Sequence, residues 1–250
     1  MNKLANKIAL VTGASKGIGA AIARQFAAEG ATVVVNYATS RAGADKVVAD
    51  IAAAGGHAVA IGADIGVEAD VRQLFQAVKE LYGRVDLLVN NAGIYTFEPL
   101  GDITPAGFKA IFDTNVLGTL LASREAVALM PATGGAIVNI GSVASGMAPP
   151  AAAVYASSKG AIDVITKSLA KELGPRGIRV NAISPGLTLT EGVHTAGIPN
   201  SDFERQMVAL TPLGRAAQPI DIALPAVFLA SDDARFVTGE TLFVGGGAGM

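Results

Sequence analysis

Short runs of aliphatic residues alternate along the chain with longer segments in which apolar positions recur every three or four residues. The short runs are Ile8–Thr12, Thr32–Asn36, Ala58–Gly62, Leu87–Asn90, Ala136–Ile140, Arg179–Ile183 and Thr241–Val244. Most are apolar throughout rather than at every second position, the pattern of strands covered on both faces. Between them, Gly17–Glu29, Ala42–Ala54, Glu68–Tyr82, Pro105–Met130, Val154–Glu172 and Pro219–Ala230 read as helices. In the first of these, Ile18, Ile22 and Phe26 fall at i, i+4 and i+8 and mark one buried stripe. Such alternation predicts an α/β fold: a doubly wound parallel sheet of about seven strands with helices on both faces. No proline-rich linker, charge run or repeat divides the chain, so residues 1–250 read as a single domain.

An eight-stranded α/β barrel of similar size is the rival architecture. Seven strands are visible, and the first strand–helix turn already carries a glycine cluster of phosphate-binding type, which favours the open sheet. Composition narrows the chemistry. Hydrophobic residues make up 51% of the chain, enough for a sizeable core. Nineteen Lys and Arg against 21 Asp and Glu give a net charge of -2, so no overall basic field invites nucleic acid or an anionic membrane. With no cysteine there is no disulfide framework, thiol nucleophile or zinc–cysteine site, and His57 and His194 are too few for a multi-histidine metal centre. The N-terminal residues lack a secretory pattern and the apolar runs stop short of the roughly 20 residues of a membrane span. A soluble cytoplasmic protein is expected.

The glycine cluster is Thr12-Gly13-Ala14-Ser15-Lys16-Gly17-Ile18-Gly19, directly after the first strand and opening the first helix. Glycine lets the backbone turn tightly and approach a pyrophosphate, while the helix N-terminus offers N–H groups and a positive dipole end. The spacing is neither the common G-x-G-x-x-G nor a P-loop. Further along come Asn90-Asn91-Ala92-Gly93 after the fourth strand, then Ser142, Tyr155 and Lys159. In this order and spacing the set resembles the short-chain dehydrogenase/reductase family, from about Lys7 to Gly247. The resemblance implies a Rossmann-type sheet that binds a nicotinamide dinucleotide and moves hydride to or from a carbon–oxygen bond.

The residue types support that chemistry on their own. Tyr155 and Lys159 are four apart in a helix, hence on one face. A phenol with a pKa of about 10 is a poor acid or base at neutral pH, and an ammonium beside it would lower that value. Ser142 follows the fifth strand at its C-terminal end, where ligands sit in open α/β sheets, and could hold a substrate oxygen. By resemblance, Asn115 holds a water beside the lysine. Asp64, with the neighbouring Ile65, meets adenine. Asn91, Ala92 and Gly93 meet the adenosine ribose, and Pro185 and Gly186, with Thr188 and Thr190, receive the nicotinamide carboxamide.

Charge bears on the choice of cofactor. An acid closing the second strand would bind a 2′-hydroxyl and repel a 2′-phosphate. Here that strand ends Asn36-Tyr37-Ala38-Thr39-Ser40-Arg41, without an acid. Lys16 and Arg41 bring positive charge and Ser40 a donor, which favours NADP(H), with NAD(H) also possible. The family resemblance further implies a homo-oligomer, dimer or tetramer, packed through the helices that carry Asn115 and Tyr155. Ala156, Ser157, Gly160 and Ala161 are small enough for it. The chain departs from the family in having Thr188 for a branched aliphatic and glycine for an aspartate in Val244-Gly245-Gly246-Gly247, which puts the last turn in doubt.

The substrate should lie over Ser142 and Tyr155 beneath a flap running from Leu187 to about Pro212. Thr188, Thr190, Glu191, His194, Phe203 and Met207 fall in that flap, and Tyr95, Phe97 and Met147 could add walls. The mixture suits a moderately apolar ketone, aldehyde or secondary alcohol. The alternatives are a 3-oxoacyl-carrier-protein reductase, a sugar dehydrogenase and a non-catalytic NADP(H)-binding protein. Lys171 and Arg176 are the basic residues left to dock an acidic carrier, because Met130-Pro131-Ala132-Thr133-Gly134-Gly135 has none.

Overall fold

A computed structural model describes residues 2–195 and 197–248. Its sheet comprises β1 (Ile8–Val11), β2 (Thr32–Tyr37), β3 (His57–Gly62), β4 (Leu87–Asn90), β5 (Gly135–Ile140), β6 (Ile178–Pro185) and β7 (Thr241–Val244). The order is β3-β2-β1-β4-β5-β6-β7 and every pairing is parallel. The order in which strands are added reverses between β1 and β4, which opens a crevice at the C-terminal ends of those strands.

Helices α1 (Gly17–Ala28) and α2 (Arg41–Ala53) cover one face, together with a later helix, Pro219–Ala230. The other face is covered by α3 (Glu68–Tyr82), by the segment from α4 (Pro105–Phe112) to α5 (Gly118–Leu129), and by the long helix Ala153–Leu173. Successive strand residues go to opposite cores: Ala9, Val11, Val33, Val35, Leu87 and Val89 to the first, Leu10, Val34 and Leu88 to the second. Two covered faces explain why the central strands are apolar at successive positions rather than at alternate ones. In the α1 stripe, Ile22 and Phe26 are fully buried, whereas Ile18 packs at the edge of that core and also lines the crevice.

One expected helix is not continuous. Between α4 and α5 the chain makes a turn of π-helix over Asp113–Leu117, with Asn115 buried inside it. Three short helices complete the crossovers after β5 and β6: α6 (Ala144–Met147), α8 (Glu191–Thr195) and α9 (Asp202–Ala209), with α7 (Ala153–Leu173) between the first two and α10 (Pro219–Ala230) after them. Helices α8 and α9 lie in the flap. Its base is closed by a bridge of Thr188 to Ala217, with Leu189 N–H donating to Ala217 O and Ala217 N–H to Leu187 O, both at 2.8 Å. Its far end is held where Leu213 N–H donates to Gly246 O at 3.0 Å. The turn put in doubt by the missing aspartate does form. Gly246 and Gly247 adopt φ of 62° and 92°, and a Cβ on Gly247 would stand 2.6 Å from Pro212 Cγ. Among the described residues no helix is long and apolar enough to cross a membrane.

Candidate active site

The glycine loop is held tightly from below. Thr12 is buried, and its hydroxyl accepts from the N–H groups of Asn91 and Ala92, each at 3.0 Å. Asn91 returns its amide to the carbonyls of Thr12 and Gly13, at 2.8 and 3.1 Å. Gly13 has φ of +61°, and a Cβ on it would lie 2.8 Å from Ala92 Cα; one on Gly19 would lie 2.4 Å from Asn91 Nδ2. The loop and the Asn-Asn-Ala-Gly turn thus touch backbone to backbone at the crevice, with the head of α1 facing it. This fits the pyrophosphate of a dinucleotide, because N–H groups and a helix dipole converge on an approach no side chain blocks.

At the adenosine end the expected residues divide. Asn36 is buried and engaged in structure: Oδ1 accepts from Gly13 N–H at 3.3 Å, and Nδ2 donates to the carbonyls of Ile61 and Ala63 at 3.3 and 3.1 Å. It supports the glycine loop from beneath. The Ile65 side chain likewise turns inward. It is buried in the second core against Gly118. Tyr37 lies across Gly62, while Ala38, Thr39, Lys16 and Arg41 are exposed and Ser15 and Ser40 are half-buried beside Gly43. Arg41 has a weak exposed partner, Asp45, at 3.5 Å. Asp64 is exposed and accepts from Gly66 N–H at 2.9 Å in a tight turn.

At the reacting end, β5 delivers Ser142, and α7 delivers Tyr155 and Lys159 one turn apart. The Ser142 hydroxyl accepts from Ala144 N–H at 3.1 Å and, with Tyr155, lines the same cavity. Lys159 is buried; its Nζ donates to Ile140 O at 2.9 Å and lies 5.9 Å from the centre of the Tyr155 ring. Gly93 stands beside both Lys159 Nζ and Asn115 Oδ1. Asn115 differs from expectation in detail. Its Oδ1 accepts from Ile94 N–H at 2.9 Å, and its Nδ2 donates to Ile94 O and Ser158 Oγ at 2.9 and 3.0 Å. The side chain therefore ties the π-turn to the Asn-Asn-Ala-Gly turn and to α7. Pro185 and Gly186 follow β6, Thr188 donates to Gly186 O at 3.0 Å, and Thr190 accepts from Val193 N–H at the start of α8.

The expected effect of the lysine on the phenol is reversed by burial. Burial pushes the Tyr155 pKa above its ordinary value; the Ser142 hydroxyl opposes this and the charge of Tyr95 adds to it. Burial also brings Lys159 down from 10.5 to about 8, with Asp163 countering it. Tyr155 is therefore a neutral phenol, ready to donate a proton. Lys159 imposes a cost on the fold that depends on pH. Its folded pKa is depressed, so below pH 8 the fold carries a buried ammonium at full cost, and this cost fades as pH rises from 8 to 10.5. Lys159→Met is expected to be more stable than wild type at pH 7 by roughly 2 kcal/mol, allowing for the lost hydrogen bond. The gap should close towards pH 10 in urea melts. A gap that is constant with pH would mean that folding leaves the lysine's pKa unshifted.

Above Ser142 and Tyr155 lies a cavity of about 490 Å³. Tyr95, Phe97 and Tyr155 form an aromatic triad with ring centres 5.9 to 6.1 Å apart. Met147, Phe203 and Met207 add apolar surface from α6 and the flap. Lys159, at the floor, is the one charged side chain among the described lining residues. His194 is exposed and absent from that lining.

A family model described as Enoyl-(Acyl carrier protein) reductase matches residues 13–249. An uncharacterized oxidoreductase of Methylorubrum extorquens is 53% identical over 247 residues, covering 99% of each chain. Versicolorin reductase 1 of Aspergillus parasiticus is 42% identical over 257 residues, covering 99% of this chain and 98% of its own. The solved structure of the angucycline C-6 ketoreductase LanV with bound NADP superimposes with a TM-score of 0.93 at 37% identity, covering 99% of this chain and 97% of that one. Motif order, sheet topology and these matches agree: the chain belongs to the short-chain dehydrogenase/reductase family and is an NAD(P)-dependent oxidoreductase of the CH–OH/C=O couple.

Proposed function

We propose that the chain is an NADP(H)-dependent reductase of bulky, neutral, largely apolar ketones, and of the corresponding secondary alcohols in reverse. The observation that carries this reading is the cavity wall. Tyr95 and Phe97 are 44% and 52% exposed, and with Tyr155 they offer three ring surfaces that a flat apolar ligand would cover. A sugar would leave its hydroxyls facing methionine, proline and aromatic carbon, at the cost of unmade hydrogen bonds. A carrier-bound acyl chain would need cations at the rim. The Met130–Gly135 segment supplies none, and of the two basic residues left, Lys171 and Arg176, the second is engaged with Val127 O at 2.9 Å. The relatives named for versicolorin and for the angucycline C-6 position agree with a ketone of some bulk.

Gly13, Gly17, Ile18 and Gly19, with Asn91, Ala92 and Gly93, would hold the dinucleotide, which supplies or accepts hydride when bound. The chain's own residues manage the oxygen and its proton. Ser142 and Tyr155 converge on the substrate oxygen; in the reducing direction Tyr155 gives it the phenolic proton, and the Lys159 ammonium beneath stabilises the phenolate left behind. Asn115, Asn36 and Thr12 keep the participating turns in register.

The preference for NADP(H) rests on the end of β2, which has no acid, and on the exposed cations Lys16 and Arg41; the NADP held by LanV is consistent with it. One assay tests both parts: NADPH and NADH consumption with a panel of aromatic ketones, small ketones, sugars and a 3-oxoacyl thioester. Lys16→Ala with Arg41→Ala should lower kcat/KM for NADPH at least about tenfold more than for NADH. A wild type that prefers NADH, or a panel in which sugars lead, would overturn the respective part. A second copy of the chain is the expected partner. Phe108, Leu117, Leu120 and Val164 are exposed on α4, the π-turn, α5 and α7, and Ser157 faces out among them, whereas Ala156 packs inward.

A further inference from the structure

One contact at the crevice serves neither the loop nor the reacting end. The N–H of Gly17, the first residue of α1, donates to a Glu191 carboxylate oxygen at 2.8 Å, across 174 residues of sequence. Glu191 opens α8 in the flap, and the Thr190 methyl carbon beside it would lie 3.2 Å from a Cβ built on Gly17. Helix α1 has no acidic residue in its first turn and no side-chain cap from Lys16. Its positive end is therefore complemented by a carboxylate borrowed from the flap. A helix head stabilises an anion through its N–H groups and dipole, within its first turn. In a dinucleotide-binding fold this same head is where the pyrophosphate rests. A carboxylate at 2.8 Å and a pyrophosphate cannot both occupy it, because they would compete for one donor set and repel each other.

We propose that Glu191 is a determinant of cofactor affinity: its carboxylate competes with the dinucleotide pyrophosphate for the head of α1, so that cofactor loading unpins the flap. The inference rests on the dinucleotide reading given above. The flap is anchored at Thr188 and at Leu213, and Glu191 is a third tie set between those two. Exchange of that tie for a pyrophosphate frees α8 to rearrange over the cavity, so cofactor should bind before substrate.

The test is a fluorescence titration of NADPH against wild type and Glu191→Gln at fixed ionic strength, with 2′-AMP as a second probe. The glutamine keeps the size of the side chain and loses its charge. 2′-AMP carries the adenosine 2′-phosphate but no pyrophosphate, and so does not reach the head of α1. NADPH should bind the variant about threefold to tenfold more tightly, the scale of an anion at a helix head, with 2′-AMP affinity unchanged. Equal tightening of both probes would reveal a general charge effect and overturn the proposal. NADPH affinity that is unchanged or weaker would overturn it too, while leaving the dinucleotide reading intact. A wild type that binds neither NADPH nor NADH would overturn both.

Discussion

Tyr155→Phe is expected to lower turnover by about 10²–10⁴-fold, the usual contribution of a positioned acid or base, with the fold and NADPH affinity preserved. The substitution removes one oxygen and keeps the ring that packs edge-on against Tyr95 and Phe97 at 6.1 Å. The proton donor disappears while the cavity wall stays. Burial pushes the phenol's pKa up and keeps it in its neutral, proton-donating form. Lys159 points at Ile140 O from beneath. Steady-state kinetics with a ketone found in the panel, alongside NADPH titration, would check the result. Turnover within about threefold of wild type in a folded variant would mean that the proton comes from elsewhere.

Gly19→Ala should have the next largest effect, at the other end of the crevice, through geometry instead of chemistry. The added methyl group would stand 2.4 Å from Asn91 Nδ2, 2.7 Å from Gly13 O and 3.0 Å from Ala14 Cα. Two of these are backbone atoms, and the third belongs to an amide already bonded to Thr12 O and Gly13 O. None can yield without opening the loop. Overpacking of this kind costs about 1–3 kcal/mol, which falls on both stability and NADPH affinity, so about tenfold to a hundredfold weaker binding is expected. Calorimetry and a thermal melt would separate the two. Unchanged NADPH affinity would place the pyrophosphate away from the glycine loop.

What could be read in advance depended on whether the cause was local. The seven strands were legible because both sheet faces are covered, so most strands are largely aliphatic runs; observed and expected ends differ by no more than two residues. The glycine loop, Ser142, Tyr155 and Lys159 were legible because their spacing is tied to strand ends and to one helical turn. The π-turn was not. Its cause is Asn115 reaching Ile94 and Ser158, 21 and 43 residues away, and the apolar periodicity of 105–130 carries no mark of that. Nor could the second strand's last residues be sorted by type. Asn36 and Tyr37 are both polar, but only the structure shows the asparagine turned under the loop. Helix α9 did have a signal: Ser201 accepts from Glu204 N–H, and Ser-Asp-Phe-Glu is a capping sequence. The reversed pKa of Tyr155 follows from burial, which no spacing encodes.

The anchoring of the flap also bears on how substrate range can change. The segment between the Thr188–Ala217 bridge and the Leu213–Gly246 contact leaves the sheet and returns to it at fixed points. It carries Phe203 and Met207 into the cavity but none of Ser142, Tyr155 or Lys159. A flap of different length or composition can thus be grafted between those anchors, in a laboratory chimera or by natural recombination. The grafted enzyme would select a new ketone while its proton donor stays where β5 and α7 put it. Replacing residues 190–212 as one cassette is accordingly the economical route to a library of altered specificity.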